Sequence, residues 1–329
     1  MKKALVTGGG GFVGKAVVKR LLELGVKTMV LGRHRYPDIE LLGAECTVGN
    51  VSDAGLIDKA TEGVDIVFHV AALAGIWGSW NEYYATNVLG TEVVVSSCRK
   101  NAVPMLVYTS TPSVVFNRID IEGGDESLAY ADEYLCNYAK SKVLAERTVL
   151  GANCASLLTC AIRPHLIWGP GDPHLLPRLL ESGSKKILKR VGDGSNLVDI
   201  SYIDNVAHAH ILAAKNLSEK GTAAGKPYFI SQGEPVNLWD WINELFVAMN
   251  IDEVKASLSF PVAYRLGAVL EALYKITRLK KEPKMTRFLA EQLAKSHYFS
   301  IENAQKDLGY EPVISTAEGL RRTVQWLKT

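Results

Sequence analysis

The sequence predicts an α/β fold, a doubly wound parallel sheet with a smaller C-terminal domain. Two observations carry that prediction. Through the first half, short apolar runs alternate with amphipathic stretches, as parallel strands with helices on both faces require. At the first junction the apolar run ends in a glycine cluster that opens a helix, a turn with no room for side chains.

The elements follow in order. Ala4–Thr7, Thr28–Leu31, Cys46–Val48, Ile66–Val70, Met105–Tyr108 and Leu157–Arg163 read as buried strands. Between them, Phe12–Leu24, Ala54–Thr61, Tyr83–Arg99 and Leu135–Leu150 place apolar residues at helical spacing. The second half is less regular. Residues 192–196 and 221–227 are turn-rich, Pro227–Ile230 reads as a strand returning to the main sheet, and Leu238–Met249 as a helix. A chain of 329 residues holds two domains at roughly 150 residues each. Residues 1–174 and about 198–232 are assigned to the sheet domain, and about 175–197 and 233–329 to a substrate domain.

Composition excludes several classes of function. Lysine plus arginine (37) nearly balance aspartate plus glutamate (35), so the overall charge gives no reason to expect nucleic acid or an anionic membrane as the main partner. The five cysteines, at 46, 98, 136, 154 and 160, form no CxxC pair, which argues against a disulfide framework or zinc ribbon and fits a reducing cytoplasm. No metal site is expected: His208 and His210 are two apart on a helix and diverge. The apolar run before Gly8 is too short for a signal-peptide core, and no window is long and apolar enough to span a membrane. Residues 260–284 leave two readings open. Phe260–Ile276 is apolar with Arg265, Glu271 and Lys275 embedded, and Arg278, Lys280, Lys281 and Lys284 follow. It is either an amphipathic helix covering the substrate domain or an interfacial helix making peripheral contact with lipid.

The glycine cluster is the first site of chemistry. Gly8, Gly11 and Gly14 follow the first strand with TGxxGxxG spacing. The first permits a tight turn, the second lets backbone approach a pyrophosphate, and the third lets the helix pack on the sheet. The helix N-terminus then offers free N–H groups to phosphate. A Rossmann-type dinucleotide site is therefore expected. The second strand ends in Gly32-Arg33-His34-Arg35, with no carboxylate before Asp38. A carboxylate there would grip a ribose 2′-hydroxyl, whereas Arg33 and Arg35 suit a 2′-phosphate, so NADP(H) is expected ahead of NAD(H).

The second site is a pair. Tyr138 and Lys142 stand four apart on a helix and share a face. An ammonium near the phenol lowers its pKa toward the working range of an acid–base catalyst. A hydroxyl cluster, Thr109-Ser110-Thr111-Pro112-Ser113, follows the fifth strand.

With these motifs the chain resembles the extended short-chain dehydrogenase/reductase family along essentially its whole length. The marks are Thr7–Gly14, Asp65–Ala72, Asn87–Thr91, Thr109–Ser113, the Tyr138/Lys142 pair, and Arg163-Pro164 before Gly169-Pro170. The resemblance implies a catalytic set of Thr111, Tyr138 and Lys142. Tyr138 would exchange a proton with the substrate oxygen, Thr111 would hydrogen-bond that oxygen, and Lys142 would hold the nicotinamide ribose. It implies cofactor contacts at Phe12, Val13, Asn50, Val51, Ala71, Ala72, Thr109 and Pro164 as well. Asn50 departs from the aspartate the family often places there. Asn87 either supports a water chain or packs its helix, and His69 and His165 read as packing residues. A homodimer paired through residues 81–99 and 135–150 is also implied.

Within the family the chain is most similar to the 3β-hydroxysteroid dehydrogenase branch. There it resembles bacterial 2-alkyl-3-oxoalkanoate reductases first and sterol-4α-carboxylate 3-dehydrogenases next, through Ala71–Trp80, Thr109–Phe116, Arg163–Pro177 and Val191–Asn205. The resemblance implies NADP(H)-dependent reduction of the 3-keto group of a long-chain 2-alkyl-3-oxoalkanoic acid to the 3-hydroxy acid, with a small hydrophobic molecule as substrate. The loop after the fourth strand offers Leu73, Ile76, Trp77 and Trp80, with Ser113 and Trp168 on the same side. Such a lining suits an acyl chain or steroid better than a nucleotide sugar, although these tryptophans could instead pack the domain interface. The alternatives are a decarboxylating sterol dehydrogenase, an NAD-dependent nucleotide-sugar epimerase or dehydratase, and a redox-sensing binding protein, which would need no Tyr–Lys pair.

Overall fold

The computed structural model describes residues 1–279 and 281–329. Its centre is a seven-stranded sheet: β1 (Lys3–Thr7), β2 (Lys27–Gly32), β3 (Glu45–Val48), β4 (Ile66–His69), β5 (Met105–Thr109), β6 (Leu158–Pro164) and β7 (Lys226–Ile230). The spatial order is β7-β6-β5-β4-β1-β2-β3, with every pair parallel. The chain reverses direction across the sheet between β1 and β4, the crevice where open α/β sheets bind ligands.

The inner strands are buried on both faces, which is why they read as continuous apolar runs rather than alternating ones, while the edge strand β3 stays partly exposed. Val6, Val30, Phe68 and Val107 face one layer of helices, and Leu5, Leu31, Val67 and Leu106 the other. The first layer is α1 (Phe12–Glu23), through Val17, Val18 and Leu21, with α2 (Ile203–Glu219), through Ala209 and Ala213. The second contains α3 (Gly90–Lys100), through Val94 and Cys98, and α4 (Asn137–Gly151), through Ala145 and Val149.

The helix expected over Tyr83–Arg99 is broken into three. A short turn, Trp80–Tyr83, starts at Ser79, whose hydroxyl accepts from Glu82 N while Glu82 reaches back to Ser79 N. Residues Tyr84–Leu89 then widen to π geometry before α3, a distortion common at functional sites. The expected start at Leu135 also moves. Cys136 is extended and α4 begins at Asn137, which puts Tyr138 in its first turn.

A smaller layer packs against the C-terminal ends of the strands. It holds Leu175–Ser184, α5 (Leu238–Ala248), α6 (Phe260–Ile276), α7 (Arg287–Ala294) and α8 (Thr316–Leu327) around Trp239, Trp241, Leu245 and Phe246. Its four-stranded sheet includes Ile121–Gly124, paired with His297–Phe299. That strand carries no alternation of its own and exists because the C-terminal strand lies beside it. Among the described residues no helix is long and apolar enough to cross a membrane. Lys280, which the sequence places in the basic run, lies outside the described residues.

Candidate active site

The turn after β1 is built for backbone rather than side chains. Gly8 has φ +70°, and a Cβ there would lie 2.7 Å from the Ala71 backbone. At Gly14 a Cβ would meet the Gly8 carbonyl oxygen at 2.2 Å, so α1 rests directly on the turn. Gly11 opens α1 with no side-chain cap and no acidic residue in the first turn. The N–H groups of that turn are thus left for an anion, in the positive end of the helix dipole. This cradle fits the diphosphate of a dinucleotide. Phe12 and Val13 pack inward behind it, and Ala71 N donates to Thr7 Oγ1, which brings the loop after β4 against the turn. Ala72 and Leu73 continue that loop.

At the end of β2, Arg33 and Arg35 are both exposed. Arg35 reaches Glu40 at 3.3 Å in a solvent-facing pair, and the first carboxylate, Asp38, is held by Lys15. Sequence reasoning passed over Tyr36. Its ring lies where a Cβ at Gly10 or Gly32 would sit, 2.1 and 2.5 Å from ring atoms. The two glycines outside the fingerprint were the available signal. Asn50 is exposed and its Oδ1 accepts from Ser52 N in a local turn, while Val51 is buried under Gly90.

The catalytic end converges on β5 and α4. Thr111 is nearly buried and its Oγ1 accepts from Ser113 N at 3.3 Å, in the turn that places both hydroxyls beside α4. Tyr138 hydrogen-bonds Thr111, and its ring stands edge-on to Tyr83 at 6.4 Å. Lys142 is buried; its Nζ donates to Thr109 O at 2.6 Å and sits 4.2 Å from the centre of the Tyr108 ring. Thr109 also shares a hydrogen bond with His210, and Pro164 ends β6 opposite Ile230.

The electrostatics differ from the sequence expectation. Burial pushes the Tyr138 phenol up to about 12, against the Thr111 hydrogen bond that lowers it. Burial likewise drives the Lys142 ammonium down to about 7, with Glu146 opposing. The expected lowering of the phenol by lysine is absent because desolvation outweighs it and the ammonium turns to a strand carbonyl. Glu146 is the second residue missed. Tyr138, Lys142 and Glu146 stand at i, i+4 and i+8 on α4, and extending the pair by one turn would have found it.

Asn87, in the π turn, spends its amide on both sides of the site. Its Nδ2 donates to Leu73 O at 3.1 Å and to Ser141 Oγ at 2.8 Å, while its Oδ1 accepts from Leu73 N at 2.7 Å. It therefore fixes the loop after β4 to the catalytic helix. His69 bridges Thr7 and Thr91 and is pushed down to about 3 by burial. His165 bonds Asp199 O and packs on His297, 4.8 Å between rings.

The loop residues separate. Ile76 packs in the cluster that contains Val114, Phe116, Tyr138 and Ala139. Trp77 turns to the smaller layer, donating to Leu279 O and meeting Tyr274 edge-on at 6.2 Å. Trp80 instead lies under Lys140, on the outer side of α4. Trp168 departs from the expectation: it is fully buried between Tyr202 and Trp241. A two-residue pairing of Ile167–Trp168 with Ser201–Tyr202 draws its indole into the core of the smaller layer, away from a substrate lining.

Known proteins place this geometry in a family. Residues 5–262 match the model of the 3-beta hydroxysteroid dehydrogenase/isomerase family. A 2-alkyl-3-oxoalkanoate reductase from Stenotrophomonas maltophilia is 47% identical over 97% of this chain and 98% of its own length. One of the same description from Shewanella oneidensis is 44% identical over 97% of this chain and 84% of its own. The mouse decarboxylating sterol-4-alpha-carboxylate 3-dehydrogenase is 36% identical over 98% and 90%. Among solved structures, MoeE5 in complex with UDP-glucuronic acid and NAD superimposes with a TM-score of 0.75 at 24% identity, covering 99% of both chains, a likeness of fold. The chain belongs to the 3-beta hydroxysteroid dehydrogenase/isomerase family and is an NAD(P)-dependent dehydrogenase/reductase of the extended short-chain type.

Proposed function

We propose that the protein uses NADPH to reduce the 3-keto group of a long-chain 2-alkyl-3-oxoalkanoic acid to the 3-hydroxy acid. The observation that carries this reading is the pair of relatives described as 2-alkyl-3-oxoalkanoate reductases, 47% and 44% identical along nearly the whole chain. The apolar surroundings of Tyr138, which include Ile76, Val114 and Phe116, support it. They offer an acyl chain a dry wall.

The nicotinamide, when bound, supplies the hydride. Tyr138 Oη gives the proton to the substrate oxygen, and Thr111 Oγ1 hydrogen-bonds the same oxygen as it takes on charge. Lys142, charged below its lowered pKa, holds the ribose side and keeps a positive charge behind the phenol. Hydride plus proton turn the ketone into the hydroxyl and leave the carboxylate in place. The product is the more durable species, because a β-keto acid loses CO2 readily and a β-hydroxy acid does not.

The test is incubation with NADPH and a long-chain 2-alkyl-3-ketoacid. Loss of NADPH absorbance with formation of the hydroxy acid is expected. No oxidation there, alongside turnover of a UDP-sugar or of a sterol 4-carboxylate, overturns the reading.

NADP(H) preference is part of the same proposal, supported by the two exposed arginines after β2. Arg33→Ala with Arg35→Ala is expected to raise the KM for NADPH about tenfold, the worth of roughly one charge-assisted phosphate contact. The KM for NADH should change little. An equal rise for both coenzymes, or none, removes the arginines from 2′-phosphate recognition.

A further inference from the structure

We propose that Arg118 binds the carboxylate of the substrate, taking it in exchange for Glu133. This rests on the 3-keto acid proposed above and names the residue that selects it. In such an acid a single carbon separates the ketone from the carboxylate, so a group that binds the carboxylate must stand close to Thr111 and Tyr138. Ser113 is the next hydroxyl, and its Oγ accepts from Thr111 Oγ1 at 3.2 Å. Ser113, Phe116, Ala139 and Phe288 line one small cavity together with Arg118 and Glu133, and Arg118 is the cation among its lining residues. Arg118 and Glu133 also line the open hollow beside it, so they stand between the two.

The backbone is bent to aim this side chain. Arg118 has φ +63°, in the left-handed region where glycine is at ease and a long side chain is strained. Just before it, Phe116 stands edge-on to Phe288 at 6.3 Å. Asn117 Oδ1 accepts from Asp132 N, which ties the turn to the loop that carries Glu133. The guanidinium then spreads over three partners. Its Nε donates to Glu291 at 3.1 Å, Nη2 to Tyr264 Oη at 3.0 Å, and Nη1 to Glu133 at 3.2 Å.

The two carboxylates differ in how firmly they are held. Glu291, on α7, is 3% exposed, and its pairing fixes the guanidinium against the smaller layer. Glu133 is 78% exposed, so its pair with Nη1 faces solvent, and such pairs contribute little. A ligand carboxylate can therefore displace Glu133 into water and take Nη1 with the charge of the site unchanged. The Nη1 and Nη2 edge of a guanidinium matches the two oxygens of a carboxylate. Glu133 is then an internal competitor that fills the place between turnovers. A neutral ketone has no charge to make the exchange, so Arg118 separates a 3-keto acid from the ketone left when that acid loses CO2.

The test compares a long-chain 2-alkyl-3-ketoacid with its methyl ester, each reduced with NADPH by the full-length protein. Arg118→Gln is expected to raise the KM for the acid about ten- to hundredfold, the loss of a hydrogen bond to a charged group, and to leave the KM for the ester unchanged. Glu133→Gln, a change at an exposed side chain, should lower the KM for the acid about threefold by removing the competitor, again without effect on the ester. An Arg118 variant that impairs acid and ester alike, or neither, overturns the proposal and leaves Arg118 a brace between the turn and α7. Should that variant fail to fold, Glu133→Gln decides: equal effects on acid and ester, or none, overturn the proposal. Wild-type protein that reduces the ester but not the acid overturns it as well. Reduction of neither overturns the 3-keto acid reading itself and this site with it, so the two failures are told apart.

Discussion

Tyr138→Phe is expected to lower turnover by about 10²–10⁴-fold, the range a positioned general acid contributes, while leaving cofactor binding intact. The substitution deletes one oxygen. The ring keeps its edge-on contact with Tyr83 and its place in the apolar cluster with Val114 and Phe116, so the helix and its neighbours have no cause to move. Quenching of tryptophan fluorescence by NADPH reports binding, and single-turnover reduction reports chemistry. The two should part company in this variant. Turnover at the wild-type rate would remove Tyr138 from the mechanism. A parallel loss of NADPH binding would mean that the phenol holds the cofactor and is not the proton donor.

The elements that position this tyrosine were legible in the sequence for a physical reason. Parallel strands buried on both faces leave continuous apolar runs, and six of the seven strands of the main sheet were read from such runs to within a residue or two. The seventh, Lys226–Ile230, was visible as a returning strand. The glycine turn was legible because its constraints are steric: nothing larger fits at Gly8 or Gly14. Long-range contacts were not. Ile121–Gly124 forms a strand only against His297–Phe299, and the pull of the Ile167–Trp168 pairing on the Trp168 indole is set by residues more than thirty positions away. Spacing put Lys142 on the face of Tyr138 but could not weigh burial against charge. Only the surroundings of the ammonium, a strand carbonyl and an aromatic ring, show that desolvation governs both groups.

The buried pair one turn further along the helix should have the largest effect on stability. Arg163 and Glu146 side chains are 2% and 0% exposed, with Nε and Nη2 donating to the two carboxylate oxygens at 3.0 and 2.5 Å. Tyr130 Oη adds a third donor to Glu146, and the guanidinium lies over Phe229. Arg163→Leu strands a carboxylate in the core and is expected to cost about 3–5 kcal/mol in chemical unfolding. The double variant Arg163→Leu/Glu146→Leu, which removes both charges, should recover most of that loss. Its pH profile carries the second half of the argument. Glu146 is the charge that opposes the lowering of Lys142, so without it the ammonium deprotonates at lower pH. Reductive turnover needs that ammonium charged and falls as pH rises through its pKa, near 7 in the intact protein. The falling limb should therefore move to lower pH in the double variant even where stability is restored. An unmoved limb in a well-folded double variant would confine Glu146 to packing. A moved one would make it a positioning residue for the lysine, acting on the proton balance of the site from one helical turn away.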